Sequence, residues 1–319
     1  MIGTPRDRVA EFEALAEGTR FLERPVSVWK SGFRRLLRRR TGITGLIIIS
    51  FWVLVALFAP LLATHDPRQG LLGEEPGIQR RDPPCIHLLG CPEERPQHIL
   101  GLDGNARDEY SRIVHGARVS LTIGVTTVTS AILVGALLGA IAGFWGGWID
   151  NLIMRIMDVV LGFPALLLAI AIVAVLGPGL TNALLAIAVV TIPQYARVMR
   201  ASVLQIKEMD FVAASRALGA SNWRILFSRV IPNALTPLVV LGTLGVAGAI
   251  LEAAGLSFLG LGAQPPTAEW GSMLGADRNQ VFSAPHLVFF PGVAIMFTVL
   301  GFNLLGDGLR DALDPRLHQ

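Results

Sequence analysis

The sequence predicts an all-α polytopic membrane protein with six transmembrane helices. Three observations carry that expectation. Hydrophobic residues make up 52% of the chain and charged ones only 16%, too little charge to cover a soluble surface. The apolar residues come in long blocks rather than alternating with polar ones, as bilayer-spanning helices of about twenty residues require. Lys and Arg gather beside those blocks, as in RRLLRRR from Arg34 to Arg40, the placement that sets membrane orientation. The net charge of +3 is therefore no argument for a nucleic-acid partner. The expected surrounding is a lipid bilayer.

The elements follow in order. A polar N-terminal tail, 1–42, has no apolar core of signal-peptide length and is expected in the cytoplasm. Its PRDRVAEFEALAEG stretch suits either a short surface helix or disorder. The apolar blocks run at 43–63, 118–142, 152–176, 182–201, 234–256 and 287–306. Pro164 lies inside the third, where neighbouring groups in a bundle can satisfy the freed carbonyl. Lys30 and the Arg34 to Arg40 cluster put the N-terminus inside. Six crossings return the C-terminal tail, 308–319, to the same side, with Arg310 and Arg316. The 202–233 connection falls inside with Lys207, Arg216, Arg224 and Arg229, and the 257–286 connection falls outside with only Arg278. The long 64–117 loop is outside too.

The inner connection contains DFVAASRALGASNWRILFSRVIPN, Asp210 to Asn233. Phe211, Ala214, Ala217 and Leu218, then Trp223, Leu226, Phe227 and Val230, recur at helical spacing on either side of Gly219. The pattern predicts helix, glycine-broken turn, helix, with Gly219 in a conformation costly for residues bearing a Cβ. Pro232 marks the start of the fifth span. Two roles stay open: packing on its own bundle, or presentation of a helical knob to a cytoplasmic partner.

Two glycine stripes lie within the spans. Gly135, Gly139 and Gly143 allow close helix approach, and Gly242, Gly245 and Gly248 recur at spacing three. Either stripe could pack or line a pathway. Trp145 and Trp148 in FWGGW suit an aromatic belt. The chain has no GxxxxGK[ST] nucleotide loop, no nucleophile arrangement and no HExxH, so no catalytic residue, cofactor or metal is expected. Ionisable residues inside the spans are few, with Asp158 and Glu252 foremost, where an ion-coupled transporter needs more. The chain reads as a transport subunit powered by another polypeptide. A self-sufficient secondary transporter and a membrane scaffold are the rivals.

The outer loop holds both cysteines, Cys85 and Cys91, in CIHLLGC. Five intervening residues suit a small disulfide ring in an oxidising compartment; free thiols, or metal binding with His87 and His98, are the alternatives. The outer histidines, His65, His87, His98, His115 and His286, read as scattered and solvated.

DFVAASRALGA…VIPNAL resembles the cytoplasmic "EAA" loop of binding-protein-dependent ABC importer permeases, with Gly219 and Ile231-Pro232 at the matching spacing. FNLLGDGLRDALDPRL (Phe302 to Leu317), LSFLGLGAQPPTAEWG (Leu256 to Gly271) and ILGLDGNARDEYSRIVHGARVSL (Ile99 to Leu121) resemble the C-type permease of dipeptide and oligopeptide importers. The resemblance covers much of the chain from about 99 onward. It implies a type I importer permease fold, with 118–307 as the five-helix transmembrane unit. It also implies a second, B-type permease, two ATP-binding subunits, an extracytoplasmic peptide-binding protein and the cytoplasmic membrane as location. The coupling loop would then be Asp210, Ala213, Ala214, Ser215, Ala217, Leu218 and Gly219. Small residues let such a helix seat in a groove of the ATPase. The sequence departs from the family pattern at Ala213, where the glutamate stands, at Ser215, where an alanine stands, and at Ala106, where glycine is frequent. Glu252 is one residue off the expected acidic position. Peptides are the favoured cargo, with nickel complexes the alternative within the family.

Overall fold

The fold is that of a computed structural model, which describes residues 33–313. The expectations for the N-terminal tail up to residue 32, including Lys30, and for Arg316 lie outside the described residues. Among the described residues the architecture rests on the longer helices α1 Arg40–Leu57, α2 Glu109–Trp145, α3 Gly147–Leu161, α4 Ala165–Leu176, α5 Leu180–Ile206, α6 Asp210–Ala217, α7 Ile231–Phe258, α8 Trp270–Asp277 and α9 His286–Leu313. Among the described residues there is no extended sheet, only isolated bridges such as Cys85 with His98. Among the described residues five helical stretches are long and apolar enough to cross a membrane, or six if the pair α3–α4 counts as one span.

That pair departs from the expected straight span. Its axes meet at 91° across Gly162–Pro164. Pro164 has no N–H to donate and stands as the N-cap of α4, so the ladder that ends at Gly162 restarts only after it. The third block is apolar enough to cross but is not one rod. The proline breaks it where a straight span needed the bundle to absorb it.

α2 is also longer than its apolar block. Its 37 residues reach about 55 Å at the helical rise per residue, more than a bilayer core. The first turns stand in the outer loop, where Asp108 caps the helix by accepting from the Ser111 N–H. At the other end of the bundle the helical path runs from Asn222 to Phe258 without a stop at Pro232. The stretch Leu226–Val230 is a π-turn. Pro232 cannot donate and crowds the carbonyl four residues back, and widening the turn before it accommodates the ring.

Packing rests on small residues. Gly135, Gly139 and Gly143 of α2 face the backbone of α5 at Ile192, Ala196 and Arg200 in turn, so the two helices run parallel at close range. A Cβ at Gly139 would meet the Ala196 carbonyl directly. α1 lies on α9 in the same manner, Gly45 against Gly301 and Leu305, and Gly42 against Gly308. The main core joins Ile123 and Val128 of α2, Ile187 and Tyr195 of α5, Ile250 and Leu256 of α7, and Trp270 of α8. A second core lies at the inner end and holds Ala140, Met199, Val203, Val212, Ile225, Leu226 and Val230.

Candidate functional site

The inner site is the hairpin between α5 and α7. α6 ends in a double-bonded glycine cap: the Gly219 N–H donates to Arg216 (3.0 Å) and the Ala220 N–H to Ser215 (3.1 Å). Gly219 has φ of +80° with open space around it, so the demand for glycine there is one of backbone conformation. Ser221 then caps the second arm through the Arg224 N–H. The hairpin is held to the bundle by few side chains. Val212, Ile225, Leu226 and Val230 are wholly buried in the inner core. Trp223 stacks on Phe227 one turn on and meets Trp145 at the end of α2 at a tilt, at centroid distances of 5.8 Å and 4.7 Å.

Its outer face is open. Asp210, Ala213, Ala214, Ala217, Leu218 and Gly219 are exposed and Ser215 half-buried, its hydroxyl donating to the Phe211 carbonyl. Leu218 is 89% exposed, the most protruding apolar side chain of the hairpin. Behind it a cleft of about 420 Å³ is lined by Ser215, Leu218, Gly219, Ala220, Arg224 and Arg229 among others.

Four helices meet around the ends of the hairpin. α5 leads into α6 through Lys207–Met209, and the Lys207 ammonium donates to the Gly143 carbonyl at the end of α2 (3.0 Å). Two turns of α5 grip α3: Arg200 forms a two-pronged pair with Asp150 (2.5 and 2.6 Å), and Arg197 pairs with Asp158 (2.6 Å). Asp158 is therefore a partnered carboxylate and not an isolated charge. The second arm continues into α7.

The second glycine stripe is divided. A Cβ at Gly242 would meet Ile132 and one at Gly245 the Tyr195 hydroxyl, whereas Gly248 faces open space. Gly248 is exposed, so this register of α7 is free for a pathway or another chain.

The outer loop is built differently. Cys85 and Cys91 are joined in a disulfide. Arg107 and Arg112 both reach Asp103 (2.7 and 3.4 Å), and Arg81 reaches Asp277 on α8 (3.2 Å), tying the loop to the 257–286 connection. Trp270, wholly buried, donates to the Ile113 carbonyl at 3.0 Å. Glu269 caps α8 by accepting from Gly271 and Ser272, and burial pushes its carboxyl up against those donors. Ala106 is fully buried with φ of +57°, a left-handed backbone that favours glycine over a residue with a Cβ.

The structure also brings together histidines that sequence reading left scattered. His65 and His98 lie side by side with ring centroids 5.3 Å apart. Glu75 faces the Nε2 of both, at 3.2 and 3.1 Å. Asp108 faces the Nδ1 of both, at 3.9 and 3.1 Å. Burial works to depress the His98 imidazole, but the hydrogen bond and charge of Asp108, aided by Glu75, raise it above its ordinary value. Burial likewise works to raise the Asp108 carboxyl, and the bonds from His98 and Ser111 hold it below the usual range. The signal available in the sequence was Asp108 as an N-cap ahead of Ser111; the convergence on it was not readable. His87 instead contacts the Arg95 carbonyl (2.8 Å) and His115 that of Ser111 (3.0 Å).

Comparison with known proteins fits this architecture. Residues 135–319 match the binding-protein-dependent transport system inner membrane component family. Residues 27–84 match the N-terminal transmembrane domain of oligopeptide transport permease C. The chain is 49% identical to the dipeptide transport system permease protein DppC of Alkalihalophilus pseudofirmus, over 92% of this chain and 91% of the relative. It is 45% identical to the di/tripeptide permease DppC of Pseudomonas aeruginosa, over 90% and 92% of the two chains. With the glutathione permease GsiD of Pectobacterium atrosepticum it shares 40%, over 91% of each. Among solved structures, a chain of the inward-facing MetNI methionine ABC transporter matches with a TM-score of 0.53 at 19% identity, over 64% of this chain and 96% of that one. That likeness speaks to the fold alone. The chain is thus a multi-pass membrane permease subunit of the type I importer fold, and it belongs to the binding-protein-dependent transport system inner membrane component family.

Proposed function

We propose that this chain is the C-type permease of an ATP-driven importer of dipeptides and short oligopeptides, acting in the cytoplasmic membrane with both termini inside. The observation that carries the reading is 49% identity along nearly the whole chain to a dipeptide permease. A glutathione relative at 40% supports tripeptide-sized cargo within the same class. The pathway forms with a second permease, an extracytoplasmic binding protein delivers the peptide, and two ATP-binding subunits dock from the cytoplasm.

In this reading the hairpin of α6 and its following arm sits in a groove of the ATPase. Ala214, Ala217 and Leu218 supply apolar contact, and Gly219 fixes the angle between the arms. With Ala213 in place of the family's glutamate, the grip depends on shape more than on charge. Arg224 and Arg229, lining the cleft behind Leu218, suit a carboxylate of the ATPase. Closure of the ATPases moves the hairpin. α5 carries the movement to α3 through the Arg197–Asp158 and Arg200–Asp150 pairs, and the second arm carries it to α7. The bistable element that both ends bias is the two-permease bundle.

The test is co-purification with the ATPase together with cross-linking from a single thiol. Cys85 and Cys91 are joined, so Ala217→Cys introduces the one free thiol among the described residues. An ATP-dependent cross-link to the ATPase, with loss of labelled dipeptide uptake when the chain is deleted, is the expected result. Uptake by the chain alone in liposomes under an ion gradient would favour a secondary transporter instead.

A further inference from the structure

We propose that His65, His98 and Asp108 form a binding site for a zinc-class divalent cation on the outer face of the permease, with Glu75 orienting both imidazoles. One ligand atom from each of the three residues lies within 4.8 Å of the other two. Tetrahedral zinc, bound at about 2.0–2.1 Å, holds its ligand atoms about 3.4 Å apart. The Asp108 Oδ1 stands 3.1 Å from the Nδ1 of His98 and 3.9 Å from that of His65, spacings that bracket this value.

The surroundings match those of a metal centre. A ligating histidine ordinarily gives its other ring N–H to a carboxylate, which fixes the tautomer and turns the free lone pair to the metal. Here one carboxylate does this for both rings: Glu75 Oε1 faces Nε2 of His65 and Oε2 faces Nε2 of His98. With Nε2 held toward Glu75, an ion would take the two Nδ1 lone pairs in place of their present contacts, the Asp108 Oδ1 for His98 (3.1 Å) and the Thr64 hydroxyl for His65 (2.9 Å). The second Asp108 oxygen is already engaged, accepting from the Ser111 N–H (2.8 Å) and the Thr64 hydroxyl (3.2 Å). That leaves Oδ1 as the single oxygen for a monodentate bond. Two imidazoles and a carboxylate suit zinc better than magnesium or calcium, which prefer all-oxygen shells.

The ligands come from three places in the chain. His65 follows the first transmembrane helix, His98 pairs with the disulfide-bonded Cys85, and Asp108 caps α2. An ion joining them clamps the outer loop to two spans. His98 and Asp108 are buried, while His65 borders an open cleft with Pro60, Arg68 and His115, which gives the ion a route in and room for a fourth ligand from water.

The experiment uses the full chain, purified within its transporter complex under a tag without histidine. After chelation and reloading with zinc chloride, metal content is read by mass spectrometry and stability by thermal unfolding. The expected result is one zinc per chain, lost on chelation, with a melting point several degrees higher when loaded. His65→Ala, at the partly open position, should lose the bound zinc while the complex still assembles. Cys85→Ser combined with Cys91→Ser should keep it, separating this site from a thiol site. Cobalt(II) in place of zinc should give the visible absorption of a tetrahedral centre. Less than a tenth of an equivalent of zinc after reloading, or equal zinc in the His65→Ala protein, overturns the proposal.

Discussion

The hairpin and the outer loop are both polar interruptions between apolar helices, and they are held in opposite ways. The hairpin is fixed by four buried aliphatic residues and one aromatic stack, with its ends made of caps and its outer face left bare. The outer loop is fixed by a disulfide, ion pairs at Asp103 and Asp277, and a buried tryptophan reaching across to α2. Directional bonds of that density hold a segment in one position. A few non-directional apolar contacts let a segment shift as a body while staying attached. On the proposed coupling role, the difference separates the part that is moved from the part that is fixed.

The largest effect is expected where helix packing underlies both regions. Gly139→Leu drives a side chain into the Ala196 backbone, where nothing can yield. Overpacking of this kind costs about 1–3 kcal/mol or more, enough to remove most folded complex from a size-exclusion trace. Gly248→Ala, facing open space, should leave that trace unchanged. Equal recoveries of the two variants would mean that the α2–α5 contact does not hold the bundle.

Next comes Gly219→Val. Open space surrounds the position, so the substitution clashes with nothing, but a positive φ costs a β-branched residue roughly 1–2 kcal/mol or more. The turn should relax by changing the angle between the arms. The expected outcome is normal membrane insertion with uptake reduced about tenfold, and ATP hydrolysis no longer stimulated by substrate. Wild-type uptake would sink the coupling role. Leu218→Ala removes about 1.5–3 kcal/mol of burial in a partner groove, weakening ATPase affinity by about ten- to a hundredfold. Stability of the chain itself should hold, because Leu218 is 89% exposed before any partner docks.

In the outer loop, Cys85→Ser with Cys91→Ser opens a ring of short span, a loss of about 2 kcal/mol. Limited proteolysis should then cut the 64–117 loop faster while leaving the Ala217→Cys cross-link unchanged. A changed cross-link would show the two regions coupled, against the contrast drawn between them.

What the sequence could convey follows the same division. The turn of the hairpin is made by near neighbours in the chain, so the helical periods on either side of Gly219 and the glycine itself were readable from local spacing. The six apolar blocks were readable for the same reason. The break at Pro164 was not, because composition registers an apolar block and not the angle inside it. The outer loop depends on pairs far apart in the chain. Arg81 meets Asp277 and Trp270 meets Ile113, and single-sequence spacing carries no trace of either. His65 and His98 looked solvated because each was judged alone. Asp158 was read only as one of the few ionisable residues in the spans, because its partner Arg197 lies in the next one.

Ala106 is where the two kinds of information meet, and it gives the smallest expected effect. The resemblance leads one to expect glycine there, the sequence has alanine, and the structure puts that alanine at φ of +57°. Glycine would relieve about 1 kcal/mol or more of left-handed backbone cost. It would also remove a methyl that is fully buried against Leu71 and Leu102, a loss of about 0.8 kcal/mol, and give the unfolded chain extra freedom of about 0.4–1 kcal/mol. The terms oppose one another at similar size. Ala106→Gly should therefore shift the melting point by no more than a degree or two in either direction. A drop of five degrees or more would mean that the methyl contact, not the backbone angle, is what fixes this turn beside Asp103.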